Sequence, residues 1–195
     1  MKILLATRNE GKLREIRQIL ADPRIEWLSL RDYPSCPEAR ESADTYLENA
    51  REKARLAAEH SGLWALADDS GLEVEALGWR PGVRSARFAG PAADDRANNR
   101  RLLEELSEVP PERRRAVFRC VLVLRSPQGQ ELSAEGELWG KIAAEARGEG
   151  GFGYDPLFCL ESGSCLAELS PEEKNRISHR TRALENLKPH LLHLL

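Results

Sequence analysis

Apolar residues recur along this chain in two periods, and the switches between them mark its elements. Lys2-Ile-Leu-Leu-Ala-Thr7 is a short apolar run that reads as a compact strand, and Leu13, Ile16, Ile19 and Leu20 then share one helical stripe. Ile25 to Leu30 reads as a second strand, followed by a loop from Pro34 to Ser42 that carries Glu38 and Glu41. Thr45-x-x-Glu48 has capping-box spacing and opens a helix with Leu47, Ala50, Ala54 and Ala57 inward and Lys53 near the same edge. Trp64 to Ala67 is again an apolar strand, which ends abruptly in Asp68-Asp69-Ser70-Gly71. Gly71 lacks a Cβ and permits a turn or a close backbone approach there, so a turn is expected.

After that corner, Leu72 to Ala76 alternates as a strand with one buried face. Gly78 to Gly90 reads as a long functional loop, and Asp94 to Ser107 as a helix with Leu102, Leu103 and Leu106 inward. Ala116–Leu124 and Glu131–Trp139 form a hairpin around Pro127-Gln-Gly129. Ser170-Pro171-Glu172-Glu173 is a helix start, with serine as N-cap and proline at the first helical position. Lys174 lies in its first turn, and Ser178-His179-Arg180 is positioned to re-cap a second helix through Leu184 and Leu187. The alternation of strands and helices predicts one α/β domain over residues 1–195.

Composition narrows the classes. A hydrophobic content of 41% with 31% charged residues is that of a soluble globular enzyme. The formal net charge of -3 offers no bulk attraction to nucleic acid or an anionic membrane. The basic run Arg113-Arg114-Arg115 has no aromatic partners and reads as a solvated strand entry. No apolar run approaches a membrane span, and Met1-Lys2-Ile3 opens directly on a strand rather than a signal peptide. Cys36, Cys120, Cys159 and Cys165 show neither CxxC nor zinc spacing, so four free thiols in the cytoplasm are expected.

Three stretches carry candidate chemistry. Two adjacent carboxylates, Asp68 and Asp69, repel each other unless a divalent cation or positive side chains neutralise them. Arg8-Asn9-Glu10-Gly11-Lys12 joins a strand to a helix, the geometry in which free N–H groups meet an anion. Lys12 in the first helical turn opposes the helix dipole, a conflict that a bound phosphate removes. In Arg147 to Pro156, glycines surround one exposed aromatic, Phe152, an arrangement suited to wrapping and stacking on a flat ligand.

Six blocks taken together are more specific than any one. They are Ala6-Thr7-Arg8-Asn9-Glu10-Gly11-Lys12, Glu48-Asn49-Ala50, Ala67-Asp68-Asp69-Ser70-Gly71-Leu72 and Pro81-Gly82-Val83-Arg84-Ser85-Ala86-Arg87. Gly151-Phe152-Gly153-Tyr154-Asp155-Pro156 and Glu173-Lys174-Asn175 with Ser178-His179-Arg180 complete the set. In this order and spacing, from first strand to last helix, the chain resembles the inosine triphosphate pyrophosphatase family.

The resemblance implies an elongated, mixed twisted sheet flanked by helices, with two lobes and an active-site cleft between them. It also implies a cytoplasmic homodimer that uses Mg2+ to cleave ITP, dITP and XTP to the monophosphate and pyrophosphate. Asp69 then corresponds to the general base and a metal ligand, with Glu41 as the assisting metal carboxylate and Glu38 behind it. Thr7, Arg8, Asn9, Glu10, Gly11, Lys12, Lys53 and Ser70 correspond to phosphate and substrate contacts. Phe152, Gly153, Tyr154, Asp155, Lys174, His179 and Arg180 correspond to the base-recognition and substrate-binding set. Arg180 and His179 offer N–H donors suited to the C6 oxo group of hypoxanthine, where adenine presents an amino donor. A pyrophosphatase with another nucleotide preference, or a module that binds nucleotide without turnover, are the alternatives. A pure anion binder gains nothing from carboxylates that face phosphates.

Overall fold

The computed structural model describes residues 1–194. Its strands are β1 (Lys2–Leu5), β2 (Glu26–Ser29), β3 (Trp64–Val74), β4 (Arg80–Pro81), β5 (Arg115–Arg125), β6 (Glu131–Ile142) and β7 (Phe158–Cys159). Five helices accompany them: α1 (Glu10–Ile19), α2 (Tyr46–Ser61), α3 (Asp95–Glu105), α4 (Pro171–Ile177) and α5 (His179–Leu192). The strands form one mixed sheet in the order β2-β1-β3-β5-β6-β7, with β4 on β3. β1 runs parallel to both β2 and β3, whereas β4 and β7 pair antiparallel with β3 and β6. The expected mixed α/β class is what the chain adopts.

The chain divides into two compact units. The first comprises residues 1–69, 120–136 and 180–194. Here β1 and the first half of β3 are buried on both faces, which explains their unbroken apolar runs. Ile3, Leu5 and Leu66 pack against Leu13 and Ile16 of α1 and Leu184 and Leu187 of α5. Leu4, Ala65 and Ala67 face Ala50, Ala54 and Ala57 of α2, where small side chains admit a close helix. Successive strand residues point to opposite faces, so even-numbered β3 positions look toward α1 and α5 and odd-numbered ones toward α2.

The second unit comprises residues 70–119 and 137–179. Its core joins Leu72 and Val74 to Leu102 and Leu106 of α3, Phe118, Leu138 and Phe158. Within it Arg114 is buried, giving its guanidinium to the carbonyls of Leu106, Val109 and Ala143 at 2.9, 2.8 and 3.2 Å. This corrects the solvated basic entry expected there for Arg114 alone, since Arg113 and Arg115 are exposed, Arg115 lying over the Trp139 ring at 4.3 Å. The stretch from Gly78 to Gly90 is not an open loop but β4 followed by a 3-10 turn over Gly82–Arg87. Four free thiols were expected, yet Cys159 and Cys165 are joined, facing each other across an antiparallel bridge. Cys36 and Cys120 are free and buried. A turn placing residues six apart opposite one another carries no spacing signature. Among the described residues no helix is long and apolar enough to cross a membrane.

Candidate active site

The Asp68-Asp69 pair sits in the middle of a strand, not at its end. β3 runs unbroken through Asp68, Asp69, Ser70 and Gly71 to Val74, so the turn expected at Gly71 does not form. Both carboxylates are buried, Asp68 at 2% and Asp69 at 6% exposure. Strand alternation eases the repulsion between these neighbours, because it sends the two side chains to opposite faces. Each then meets its own cations.

On the α2 face, Lys53 donates to Asp69 Oδ1 at 2.7 Å and Asn49 Nδ2 donates to Oδ2 at 3.1 Å. Asn49 and Lys53 are four residues apart and share one side of α2, which starts at its N-cap Thr45. Asn49 is itself fixed, its Oδ1 accepting from the Ala43 amide at 3.1 Å. Glu41 approaches the same Lys53 ammonium at 2.7 Å, from a backbone with φ of 47° in the left-handed region that most residues avoid. Burial lifts the Asp69 pKa above the ordinary carboxylate value, against the opposing pull of Lys53 and Asn49. Burial also works against the Lys53 charge, but Asp69, Glu41 and Asp68 outweigh it and hold the ammonium protonated.

On the opposite face, Asp68 Oδ2 meets Lys12 at 2.9 Å and the Arg180 Nη2 and Nε at 3.3 and 3.4 Å. Arg180, only 1% exposed, also gives Nη1 to Glu15 of α1. Burial would raise the Asp68 pKa, but Lys12, Arg180 and Lys53 overcome it and pull the pKa well below the ordinary range. A depressed carboxylate stabilises the fold above its unfolded pKa of about 3.9 and loses that contribution as pH falls below it. The Tm advantage of the wild type over Asp68→Asn is therefore expected to shrink as pH drops from about 6 to about 3, followed by thermal melts.

Lys12 is placed by the α1 start. Asn9 is the N-cap, its Oδ1 accepting from the Lys12 amide at 3.1 Å, and Thr7 Oγ1 accepts from the Asn9 amide at 3.1 Å. Gly11 lies inside the first turn of α1 rather than in a turn of its own. Arg8 and Glu10 reach outward, to Glu38 at 3.0 Å and to Arg31 at 2.5 Å. Ser70 is half-buried on β3, beyond Asp69.

In the second unit the glycine-rich segment is closed around Asp155. Its Oδ2 accepts from the Phe152 amide at 2.9 Å and from the buried Lys174 ammonium at 2.7 Å. Gly151, with φ of 74°, passes so close that a Cβ there would lie 2.1 Å from this carboxylate. Lys174 stands 4.4 Å from the Phe152 ring centroid, so that ring is half-buried rather than fully exposed. Asn99 and Asp95 of α3 hold Gly153, through its carbonyl at 2.9 Å and its amide at 2.7 Å. Tyr154 is buried and donates to the Ser85 carbonyl at 2.7 Å. His179 lies nearly parallel on Phe118, with ring centroids 4.9 Å apart.

Glu15, Asp95 and Asn99 are not singled out by the sequence, and Asn49 enters there only within the Glu48-Asn49-Ala50 block. The i,i+4 spacing of Asn49 with Lys53, and of Asp95 with Asn99, is the signal that points to them.

Among the described residues no group of three or more His, Cys, Asp or Glu side chains is arranged to hold a metal ion by itself. The Asp69–Glu41 pair nevertheless fits Mg2+. Both are hard oxygen donors converging on one positive charge, and Mg2+ is usually held by one or two carboxylates plus substrate phosphates.

The sequence profile of the Ham1 family matches residues 3–190. A dITP/XTP pyrophosphatase of Geobacter sulfurreducens is 54% identical over 191 residues, covering 97% of this chain and 96% of the relative. A dITP/XTP pyrophosphatase of Mycobacteroides abscessus is 46% identical, covering 100% and 97%. The solved structure of a HAM1 protein from Coxiella burnetii superposes with a TM-score of 0.90 at 43% identity, over 99% of both chains. The Staphylococcus aureus Ham1 protein gives 0.88 at 36% identity, over 100% of both. Agreement of sequence and fold over essentially the whole length leaves one assignment: the chain belongs to the Ham1 family.

Proposed function

We propose that this protein hydrolyses the non-canonical purine nucleoside triphosphates dITP, XTP and ITP to the monophosphate and pyrophosphate, with Mg2+. The observation that carries this reading is Asp69, a buried carboxylate fixed by Lys53 and Asn49 beside Glu41. Two dITP/XTP pyrophosphatases of near-identical length support the substrate class. Asp69 is the base that orients and deprotonates the attacking water, its proton affinity raised by burial. When bound by Asp69 and Glu41, Mg2+ supplies charge neutralisation on the phosphate oxygens. Lys12 and Lys53 neutralise the triphosphate further, and the amides at the start of α1 and the Thr7, Asn9 and Ser70 side chains complete the phosphate contacts. Direct attack of water at the α-phosphorus needs no covalent nucleophile, and pyrophosphate leaves readily once its charge is bound.

Phe152 supplies the stacking face for the base, and His179 an N–H donor to its C6 oxo group. Asp155 and Lys174 keep the glycine-rich segment around that aromatic in shape, with the backbone of Gly153 and Tyr154 as its wall. The homodimer and the cytoplasmic setting belong to the same reading, and sedimentation tests the former. The functional test is pyrophosphate release measured separately from phosphate across dITP, XTP, ITP, GTP, ATP and UTP. The expected result is fast release from the first three alone. Binding without turnover would identify a nucleotide-binding module instead, and equal rates on all six would remove the purine preference. Every base offers a π-face, so Phe152→Ala is expected to lower kcat/KM for XTP and ATP by similar factors, on the order of 1–3 kcal/mol of stacking.

A further inference from the structure

The start of α3 carries a clamp with no part in the reading above. Gly153, the residue after Phe152, is held at both its backbone groups by this one helix. Its amide gives to Asp95 Oδ2 at 2.7 Å, and its carbonyl accepts from Asn99 Nδ2 at 2.9 Å. Asp95 and Asn99 stand four residues apart and so share one side of α3. The adjacent Asn98 uses both ends of its amide inside the fold, accepting from the Ala89 amide at 2.8 Å and giving to the Ala86 carbonyl at 3.1 Å. Asn99 does not. Among the described residues its Oδ1 is buried and accepts no hydrogen bond, an arrangement that costs stability and that an apolar side chain of similar size would avoid.

We infer that Asp95 and Asn99 are positioning residues for base recognition: by fixing Gly153 against α3, they present the Phe152 ring to the purine already oriented. The inference rests on the proposed function, in which that ring stacks on the base. Phe152 is then pinned on both sides along the chain, its own amide on Asp155 Oδ2 at 2.9 Å and the next residue on the helix. A flat ring gains from stacking only when it faces the base. A segment with glycines at 148, 150, 151 and 153 does not keep one orientation unaided, and Gly153 itself sits at φ of 62°. Ordering the segment against a helix before substrate arrives moves that entropic cost from binding to folding. Neither side chain touches substrate in this account, so their loss should weaken the hold on the base and leave the phosphate contacts as they are.

Product inhibition separates the two halves of the substrate. The variants are Asp95→Ala and Asn99→Asp, the latter keeping the shape but setting a carboxylate against the Gly153 carbonyl. In each, XMP is expected to inhibit about fivefold more weakly, while inhibition by pyrophosphate stays within about twofold of wild type. kcat/KM for XTP should fall about fivefold, mostly through KM, and the loss should shrink below about twofold in the Phe152→Ala background, because it runs through that ring. Asp95→Asn keeps an acceptor oxygen and should recover most of the activity. Asn99→Leu guards against misfolding: it removes the unbonded acceptor with the donor, so it should melt within about 2 °C of wild type yet show the same XMP defect. Equal weakening of XMP and pyrophosphate, or the same fractional loss with and without Phe152, would make the pair merely structural and overturn the inference. So would failure of all these variants to fold. No turnover by the wild type, or unchanged turnover and XMP inhibition in Phe152→Ala, would instead overturn the stacking reading, and the inference with it.

Discussion

Asp69→Asn is expected to lower kcat by at least roughly 10²–10⁴-fold, the range for loss of a general base, with loss of a metal charge adding to it. The protein should stay folded. Asp69 does not lie at the strand end that the sequence suggests but is buried in mid-strand, so its tolerance of the change does not come from exposure. The reason is now electrostatic. Its pKa is raised by burial, so the ionised form costs stability as pH rises above the unfolded value, and a neutral amide relieves that cost. Lys53 keeps Glu41 at 2.7 Å after the change, so no cation is stranded. Steady-state kinetics together with thermal melting decide the matter. Near-wild-type turnover, or a melting point lowered by more than about 5 °C, would contradict this account.

Asp155→Ala is expected to have the largest effect on stability. The change removes the carboxylate 2.7 Å from Lys174, an ammonium that is only 6% exposed. Breaking a buried pair from one side costs about 3–5 kcal/mol, which for a chain of this length lowers Tm by roughly 6–20 °C. The Phe152 amide loses its acceptor at the same time, so the glycine-rich segment loosens where the stacking ring is held. Asp155→Asn keeps an acceptor oxygen of the same shape and should lose about half as much. Thermal or urea unfolding measures both, and a shift of less than about 2 °C in the alanine variant would show that Asp155 does not hold this segment.

Local signals were legible in the sequence wherever a residue's partners lie within a turn of it. Ser170 caps α4 with the reciprocal Glu173 bonds that its spacing announced, and Thr45 and Asp94 cap α2 and α3 as N-caps do. The apolar stripes of α1, α2 and α3 are the faces that pack. What was not legible depends on partners far along the chain. Two aspartates inside a strand look like a turn until Lys12, Lys53 and Arg180 are brought to them. Arg114 looks solvated until the carbonyls of Leu106 and Val109 beyond α3, and of Ala143 beyond β6, close on its guanidinium. Glu15 looks like a surface helix residue, since nothing nearby in sequence announces a buried arginine 165 positions away. The resemblance names residues for the phosphates, but only the geometry separates Asp68 from Asp69, by face and by partners.

The central claim, water attack at the α-phosphorus with pyrophosphate leaving whole, is tested most directly by isotope. Hydrolysis of XTP in 18O-labelled water with Mg2+ should place one label in XMP and leave pyrophosphate unlabelled, with no orthophosphate formed. Label in pyrophosphate or in orthophosphate would put the attack at another phosphorus and contradict the account.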